Sequence, residues 1–394
     1  VARFTNGYKV FMPTEFMHAM YDQGGGAGLR DFWDRWCTNP LFAGGFIWVY
    51  CDEAPKRSDK GGILDSDKSN APDGVVGPRR EKEGSYYAIR AQWSPIQLKP
   101  LLITNHFDGS FLLTNEYTFT NLKDCRMTYK VLSCGTPLQG NAEAGKVIAE
   151  GKVQLPSINP GETGTARFEL PDSFRKGDVL ELEAFDREGK SICNWTYPIH
   201  LAKQYFERNL AQTTLTPAPQ KAEARQTSDA IELKSSKVSI TFDAATGMIR
   251  HIKSGETEVP FKDGPVAIGM KMRYEPSLSY TRHSSDGAIY CAKYKGAADS
   301  IVWRLTNEGL LYMDAILLNR GSGGGGFDDA FMDAQVFNLG LSFSYPEQNC
   351  SGMKWMGRGP YRVWKNRIPG TNYGIWHKDY NNTITGESFE NLIY

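Results

Sequence analysis

Lys9-Val10-Phe11-Met12-Pro13-Thr14-Glu15-Phe16-Met17-His18 stands near the start of the chain, and Gly44-Gly45-Phe46-Ile47-Trp48-Val49-Tyr50 follows it. The first stretch is a short apolar run ending in a carboxylate, the pattern of a buried parallel strand. Gly24-Gly25-Gly26 then breaks the chain, and Leu29, Phe32, Trp33 and Trp36 recur at helical spacing, predicting one amphipathic helix. The second stretch reads as another buried strand. Strand, helix, strand is a βαβ unit, from which parallel sheets and barrels are built. Two strands cannot close a barrel, so this region is expected to be a piece of one.

Outward from this unit the pattern changes. From Cys51 to about Tyr86 the sequence is polar and irregular, and a loop of that length in a compact region is usually functional. After Gln92 come short alternating segments: Leu101–Thr104, Glu116–Thr120, Met127–Leu132, Lys146–Leu155, Ala166–Leu170, Val179–Phe185 and Asn194–Ile199. Such a run of short strands parted by turn residues predicts an immunoglobulin-like sandwich. Residues 203–229 are rich in Ala, Gln, Thr and Pro and predict a linker. From Ala230 strands resume, predicting a second, larger β-sandwich, with Gly321–Gly326 a flexible turn inside it. The predicted class is mainly β: a partial (β/α)8 barrel segment followed by two sandwiches, divided as 1–92, 93–202, 203–229 (linker) and 230–394.

Lys+Arg and Asp+Glu both total 45 in 394 residues, so net charge points to neither nucleic acid nor an anionic membrane. A neutral partner such as a sugar is compatible with that balance. Aromatic residues form 12% of the chain, a supply of rigid rings for sandwich cores or for stacking on sugars. The seven cysteines are widely spaced without a CxxC, which suggests neither a disulfide framework nor a zinc site. No apolar run reaches the roughly 18 residues of a membrane span. The sequence starts at Val1 without a signal region and stops after Phe389-Glu390-Asn391-Leu392-Ile393, which reads as an unfinished strand. Both ends therefore read as cut.

Glu15 is placed where a buried strand meets a Gly-rich loop, the strand edge that supplies catalytic groups in α/β barrels. His18 and Tyr21 follow closely, and Trp48 lies on the next strand with its end on the same side. A carboxylate, an imidazole and an indole converging on one mouth suit glycoside chemistry. A capping or salt-bridged Glu with two packing residues is the plainer alternative. Asp52 and Glu53, just past Trp48, could line the mouth or serve structure. Asn115-Glu116 and Asn307-Glu308 are expected to lie in the sandwiches, at the surface or in cross-strand pairs.

Six motifs in order carry a family resemblance across most of the chain. Thr14-Glu15-Phe16-Met17-His18-Ala19-Met20, Gly44-Gly45-Phe46-Ile47-Trp48 and Asp73-Gly74-Val75-Val76 come first. Tyr117-Thr118-Phe119-Thr120-Asn121-Leu122, residues Phe242 to Ile252 (FDAATGMIRHI) and Trp355-Met356-Gly357-Arg358-Gly359-Pro360 complete them. Together they resemble the C-terminal portion of glycoside hydrolase family 2, the β-galactosidase-like enzymes. The resemblance implies a retaining exo-β-glycosidase with Glu15 as nucleophile, His18 bonding a sugar hydroxyl and Trp48 beneath the ring. It places Asp73 where the family has an Asn lining the sugar and cation pocket.

It also implies an acid/base Glu upstream of Val1, so that the fragment alone would be inactive, and an oligosaccharide or glycoside as partner. No metal site or cofactor is expected from the residues themselves, although the full-length family carries a monovalent or divalent cation. Homo-oligomerisation stays open, and so does location, with export expected if the source degrades polysaccharides. Asp73 for Asn, Asn70 for an aromatic, Gly61-Gly62-Ile63-Leu64, Val49-Tyr50 and Tyr361-Arg362-Val363-Trp364 depart from the family pattern around the pocket. The alternatives are therefore a β-glucuronidase or another family 2 specificity, and a non-catalytic carbohydrate-binding or structural module.

Overall fold

The computed structural model describes residues 9–18, 26, 28–65, 73–135, 145–212, 220–268, 274–295, 298–317, 340–361, 363 and 368–381. Tyr21, Asn70, Gly321–Gly326, Arg362 and Trp364, named above, lie outside them. The described residues are mainly β, in several separate sheets. The chain divides into two compact units, Val1–Leu210 with Gly352–Tyr394, and Ala211–Ser351.

In the first unit, β1 (Phe16–His18), α1 (Leu29–Cys37) and β2 (Ile47–Trp48) form the βαβ arrangement, with β1 and β2 parallel. The pairing extends backwards to Phe11 and Phe42. A third parallel line joins on the far side of β2, where Cys51 bridges Val76. α1 forms because its apolar residues fall on one side. Trp36 packs edge-on against Phe11 and Phe16, with centroids 5.6 and 4.7 Å apart, and Trp33 against Phe42 at 5.2 Å. Asp31 in its first turn and Arg35 in its last suit the helix dipole.

The helix α2 (Gly84–Gln92) ties this piece to the sandwich that follows. Arg30 at the start of α1 is the clamp. Its backbone N–H donates to the Gln92 side chain at 2.7 Å, and its guanidinium donates to the Gln92 carbonyl at 2.9 Å and to both Glu116 oxygens at 2.5 and 3.2 Å. Arg90 donates to the carbonyls of Ile192 and Ser191.

The sandwich has a four-stranded sheet, ordered Ser191–Pro198, Val179–Phe185, Arg126–Ser133 and Lys146–Val153. A three-stranded sheet of Ile96–Leu98, Ser110–Asn115 and Thr163–Arg167 faces it. Strict alternation drives the packing, since Phe111 and Leu113 are buried and Leu112 between them is 47% exposed. Two expected strands are displaced. Leu101–Thr104 is not a strand, and Glu116–Thr120 is a turn, because Asn115 ends the preceding strand. The fully buried Asn115 side chain donates to the carbonyls of Thr120 and Ile158 and accepts from the Tyr117 N–H, bending the chain there. Asn121 accepts from the N–H groups of Lys123 and Ile158, which seats Leu122 in the core.

The helix Ala202–Gln212 occupies the start of the stretch that composition suggested as a linker, and the strand Glu223–Gln226 its later part. The hairpin Gly352–Gly359 with Asn372–Asp379, which holds the Trp355–Pro360 motif, lies in the first unit rather than with the later sandwich. Local hydrogen bonds account for this. The Tyr373 N–H donates to the Thr196 hydroxyl at 2.6 Å, and the Asn194 amide donates to Asn372 at 3.3 Å. Tyr361 also stacks on Tyr87, with centroids 5.3 Å apart.

The second unit has its own five-stranded sheet, from Glu223–Gln226 to Thr257–Glu258, and a four-stranded sheet, from Leu278–Ser284 to Leu311–Leu317. Its core is centred on Phe242, Tyr290 and Trp303. Asn307 bonds the backbone of Ala222 and Ser285 there. The seven cysteines are free. Among the described residues no helix is long and apolar enough to cross a membrane.

The alternation makes a direct test. Leu113→Ala is expected to cost about 3 kcal/mol of unfolding free energy, the range for a fully buried leucine, and Leu112→Ala less than about 1 kcal/mol. Urea titrations of the two variants, followed by tryptophan fluorescence, measure the difference. Equal losses would mean that the strand does not bury the face assigned to it.

Candidate active site

Regular alternation would put Glu15 and His18 on opposite faces of β1. The backbone avoids this at Met17, whose φ of 51° is left-handed, and the pairing with β2 shifts register between Phe16 and His18. Phe16 and Met17 consequently both pack under the sheet against Leu29 and Ile89, while Glu15 and His18 emerge together on the other side. A left-handed L-residue costs about 1–2 kcal/mol. Here that cost is offset by the burial of two neighbouring apolar side chains.

The His18 ring lies between two carboxylates. Nδ1 is 2.8 Å from Asp73 Oδ2 and Nε2 is 3.3 Å from Glu15 Oε1. The hydrogen bond to Asp73 is the largest influence on the imidazole. With the charges of Asp73 and Glu15 and the contact to Glu15, it outweighs desolvation and holds the pKa above the ordinary value. A protonated ring donates through both nitrogens. Glu15 is otherwise exposed, with 54% of its side chain open. Trp48 stands beside the histidine, with ring centroids 6.3 Å apart and planes at 42°, and is 38% exposed. The Trp48–Val49 peptide is cis. The four residues singled out from sequence thus come together: Glu15, His18 and Asp73 in one contact chain, and Trp48 against its middle member.

Asp73 reaches the histidine from the third parallel line. The Val49 N–H donates to the Asp73 carbonyl at 3.4 Å, Val75 N–H to Val49 at 2.8 Å, Val76 N–H to Tyr50 at 3.1 Å and Asp52 N–H to Val76 at 3.0 Å. Asp73 is buried, and its second oxygen, Oδ1, has no hydrogen-bond partner among the described residues. Hard cations take oxygens of this kind, but they need about six. No cluster of His, Cys, Asp or Glu suited to a metal occurs among the described residues. The described residues do not by themselves make a cation site.

Asp52 is the residue that sequence reasoning left undecided. It does not line the mouth; it is buried beneath Asp73, and its Oδ1 accepts the Gly74 N–H at 2.8 Å. Burial drives its pKa from 3.8 up to about 7. Asp73 and Glu81 add to the rise and the Gly74 N–H opposes it. Its partners lie far along the chain, so no local pattern announces them. Glu116 is committed to Arg30, which fits a structural role.

The chain carries independent marks of kinship. Residues 111–194 match the family model for "Beta-galactosidase, domain 4". The β-galactosidase of Actinobacillus pleuropneumoniae is 26% identical over 164 residues, covering 40% of this chain and 16% of that protein. β-Galactosidase 2 of Enterobacter cloacae is 21% identical over an alignment of 425 residues, covering 92% of this chain and 37% of the relative. The chain therefore spans little more than a third of the length of this relative. A solved β-D-mannosidase from Dictyoglomus thermophilum aligns at 12% identity over 65% of this chain and 24% of its own, with a TM-score of 0.21.

Asp52 sets a pH dependence. Its folded-state pKa lies above its unfolded one, so between pH 3.8 and about 7 the folded chain keeps a proton that the unfolded chain releases. Its favourable contribution is complete below that window and is lost as pH rises through about 7, by up to about 4 kcal/mol. Asp52→Asn removes the ionisation. It is expected to match the parent near pH 4 and to be more stable by about 1–4 kcal/mol at pH 8. Urea unfolding of both at the two pH values checks this, and an unchanged difference across them would contradict it.

Proposed function

We propose, for a chain that is β-galactosidase-like and similar to the C-terminal portion of glycoside hydrolase family 2, that the complete protein is a retaining exo-β-glycosidase. Its substrates would be terminal, non-reducing β-linked sugars. The observation that carries the reading is the shared face of Glu15, His18 and Trp48 across two parallel strands, with Asp73 behind them. The parallel strands would continue into a (β/α)8 barrel in the complete protein.

On this reading Trp48 stacks beneath the sugar ring, whose C–H face suits an indole. Glu15 attacks the anomeric carbon and forms a glycosyl ester while the leaving oxygen takes a proton from a second carboxyl group about 5–5.5 Å away. That group then deprotonates the water that cleaves the ester. Asp73 and Asp52 are buried and engaged behind His18, which unsuits them to this role. The acid/base is assigned to a part of the protein that this chain does not carry, so the chain alone is proposed to be inactive. His18 Nε2 faces Glu15 in the free site, and turning it to a sugar hydroxyl releases the nucleophile as substrate arrives.

The electrostatics favour a neutral glycon such as galactose over a uronic acid, because Glu15 and Asp73 already flank the His18 imidazole. A non-catalytic carbohydrate-binding role would place ligand on a sandwich face instead.

Glu15→Gln in the complete protein is expected to lower turnover of an aryl β-galactoside by about 10⁴-fold or more while sugar still binds. Steady-state kinetics with a binding titration checks both halves. Near-parental activity of the variant would remove Glu15 as nucleophile.

A further inference from the structure

We infer that Asp52 is a positioning residue for this site: by capturing the Gly74 N–H it fixes the peptide that aims Asp73 at His18, and through His18 it sets Glu15. This rests on the proposed reaction. The geometry is specific. The peptide between Asp73 and Gly74 is held at both ends, its carbonyl by the Val49 N–H at 3.4 Å and its N–H by Asp52 Oδ1 at 2.8 Å. The first bond is long and the second is short and buried, so the Asp52 oxygen is the stronger restraint. With the peptide fixed, Asp73 presents Oδ2 to His18 at 2.8 Å.

Glycine at position 74 makes the capture close-range. A Cβ there would lie 2.3 Å from the Asp52 nitrogen, 2.5 Å from the Cys51 carbonyl carbon and 2.8 Å from Asp52 Oδ1. The φ at Gly74 is not left-handed, so the glycine answers to space rather than to backbone conformation. Asp52 is itself anchored, its N–H donating to the Val76 carbonyl at 3.0 Å. The route Asp52, Gly74, Asp73, His18, Glu15 runs through a hydrogen bond, a peptide bond, a second hydrogen bond and one ion-pair contact, and its first member is buried. Asp52 needs only an acceptor oxygen for this task, so a carboxamide in its place serves.

The test uses the complete protein with an aryl β-galactoside. Asp52→Ala and Asp52→Ser both lose the bond to Gly74, so either one that folds suffices, folding being judged by its thermal transition. The expected result is a fall in kcat of about 10²-fold, the scale for a catalytic group displaced by roughly 1 Å, with KM changed less than about threefold. Asp52→Asn, whose amide oxygen still accepts from Gly74, is expected to stay within about fivefold of the parent kcat. A purely structural aspartate would not separate kcat from KM, nor Asn from Ala at equal folded fraction. Parental kcat in Asp52→Ala or Asp52→Ser overturns the inference, and so does an equal loss in Asp52→Asn. Glu15→Gln runs alongside: if it stays active, the reaction reading fails, whereas an inactive Glu15→Gln beside a parental Asp52→Ala fails the positioning role alone.

Discussion

The His18 imidazole, caught between an exposed carboxylate just before its own strand and a buried one two strands away, is the interaction on which the rest of the site depends. Glu15 immediately precedes β1, Trp48 belongs to β2 and Asp73 to the third parallel line, and among the described residues the histidine touches the side chains of all three. Without the left-handed turn at Met17 it would point under the sheet. Without Asp73 its Nδ1 would lack an anionic partner and the largest influence raising its pKa would be gone, leaving Glu15 alone to raise it. The distance from Nδ1 to Asp73, 2.8 Å, is shorter than that from Nε2 to Glu15, 3.3 Å, so the ring is held from behind and is freer in front. That asymmetry suits a residue that hands its front contact to an arriving sugar.

The packing around the site explains why such an arrangement is tolerated. Two buried acids close together, one with an oxygen that has no partner among the described residues, cost stability of the order of 1–3 kcal/mol per unmet group. The offsetting contributions are nearby and ordinary. The aromatic set of Phe11, Phe16, Trp33, Trp36 and Phe42 closes the underside of the sheet. Arg30 fastens α1 to α2 and to Glu116 of the sandwich, so the short parallel strands are braced by a domain with a large core of its own.

Much of this was legible in the sequence, and the limits follow from physics. The βαβ unit could be read because its helix carries Leu29, Trp33 and Trp36 at regular spacing and its strands are short apolar runs. The sandwich could be read from alternation, most plainly in Val179–Phe185, a strand with those bounds, while Lys146–Leu155 is a strand over Lys146–Val153. Boundaries were lost where a side chain overrides propensity: Thr-rich Glu116–Thr120 looks extended, but the buried amide of Asn115 turns it. The placing of the Trp355–Pro360 hairpin depends on single hydrogen bonds to Thr196 and Asn194, which no periodicity encodes. Glu15, His18, Trp48 and Asp73 could be gathered because a strand end and a family-like motif mark them. Asp52 could not be resolved, since its partner is a backbone N–H on another strand and its burial arises only when the strands are laid together.

The central claim is that Glu15 becomes covalently bonded to sugar during turnover. The most direct measurement is to inactivate the complete protein with a 2-deoxy-2-fluoro-β-galactoside bearing a good leaving group, digest it, and locate the added mass. One fluorosugar is expected on the peptide containing Glu15 and on no other carboxylate. A label on a different acid, or inactivation without any covalent adduct, would contradict it.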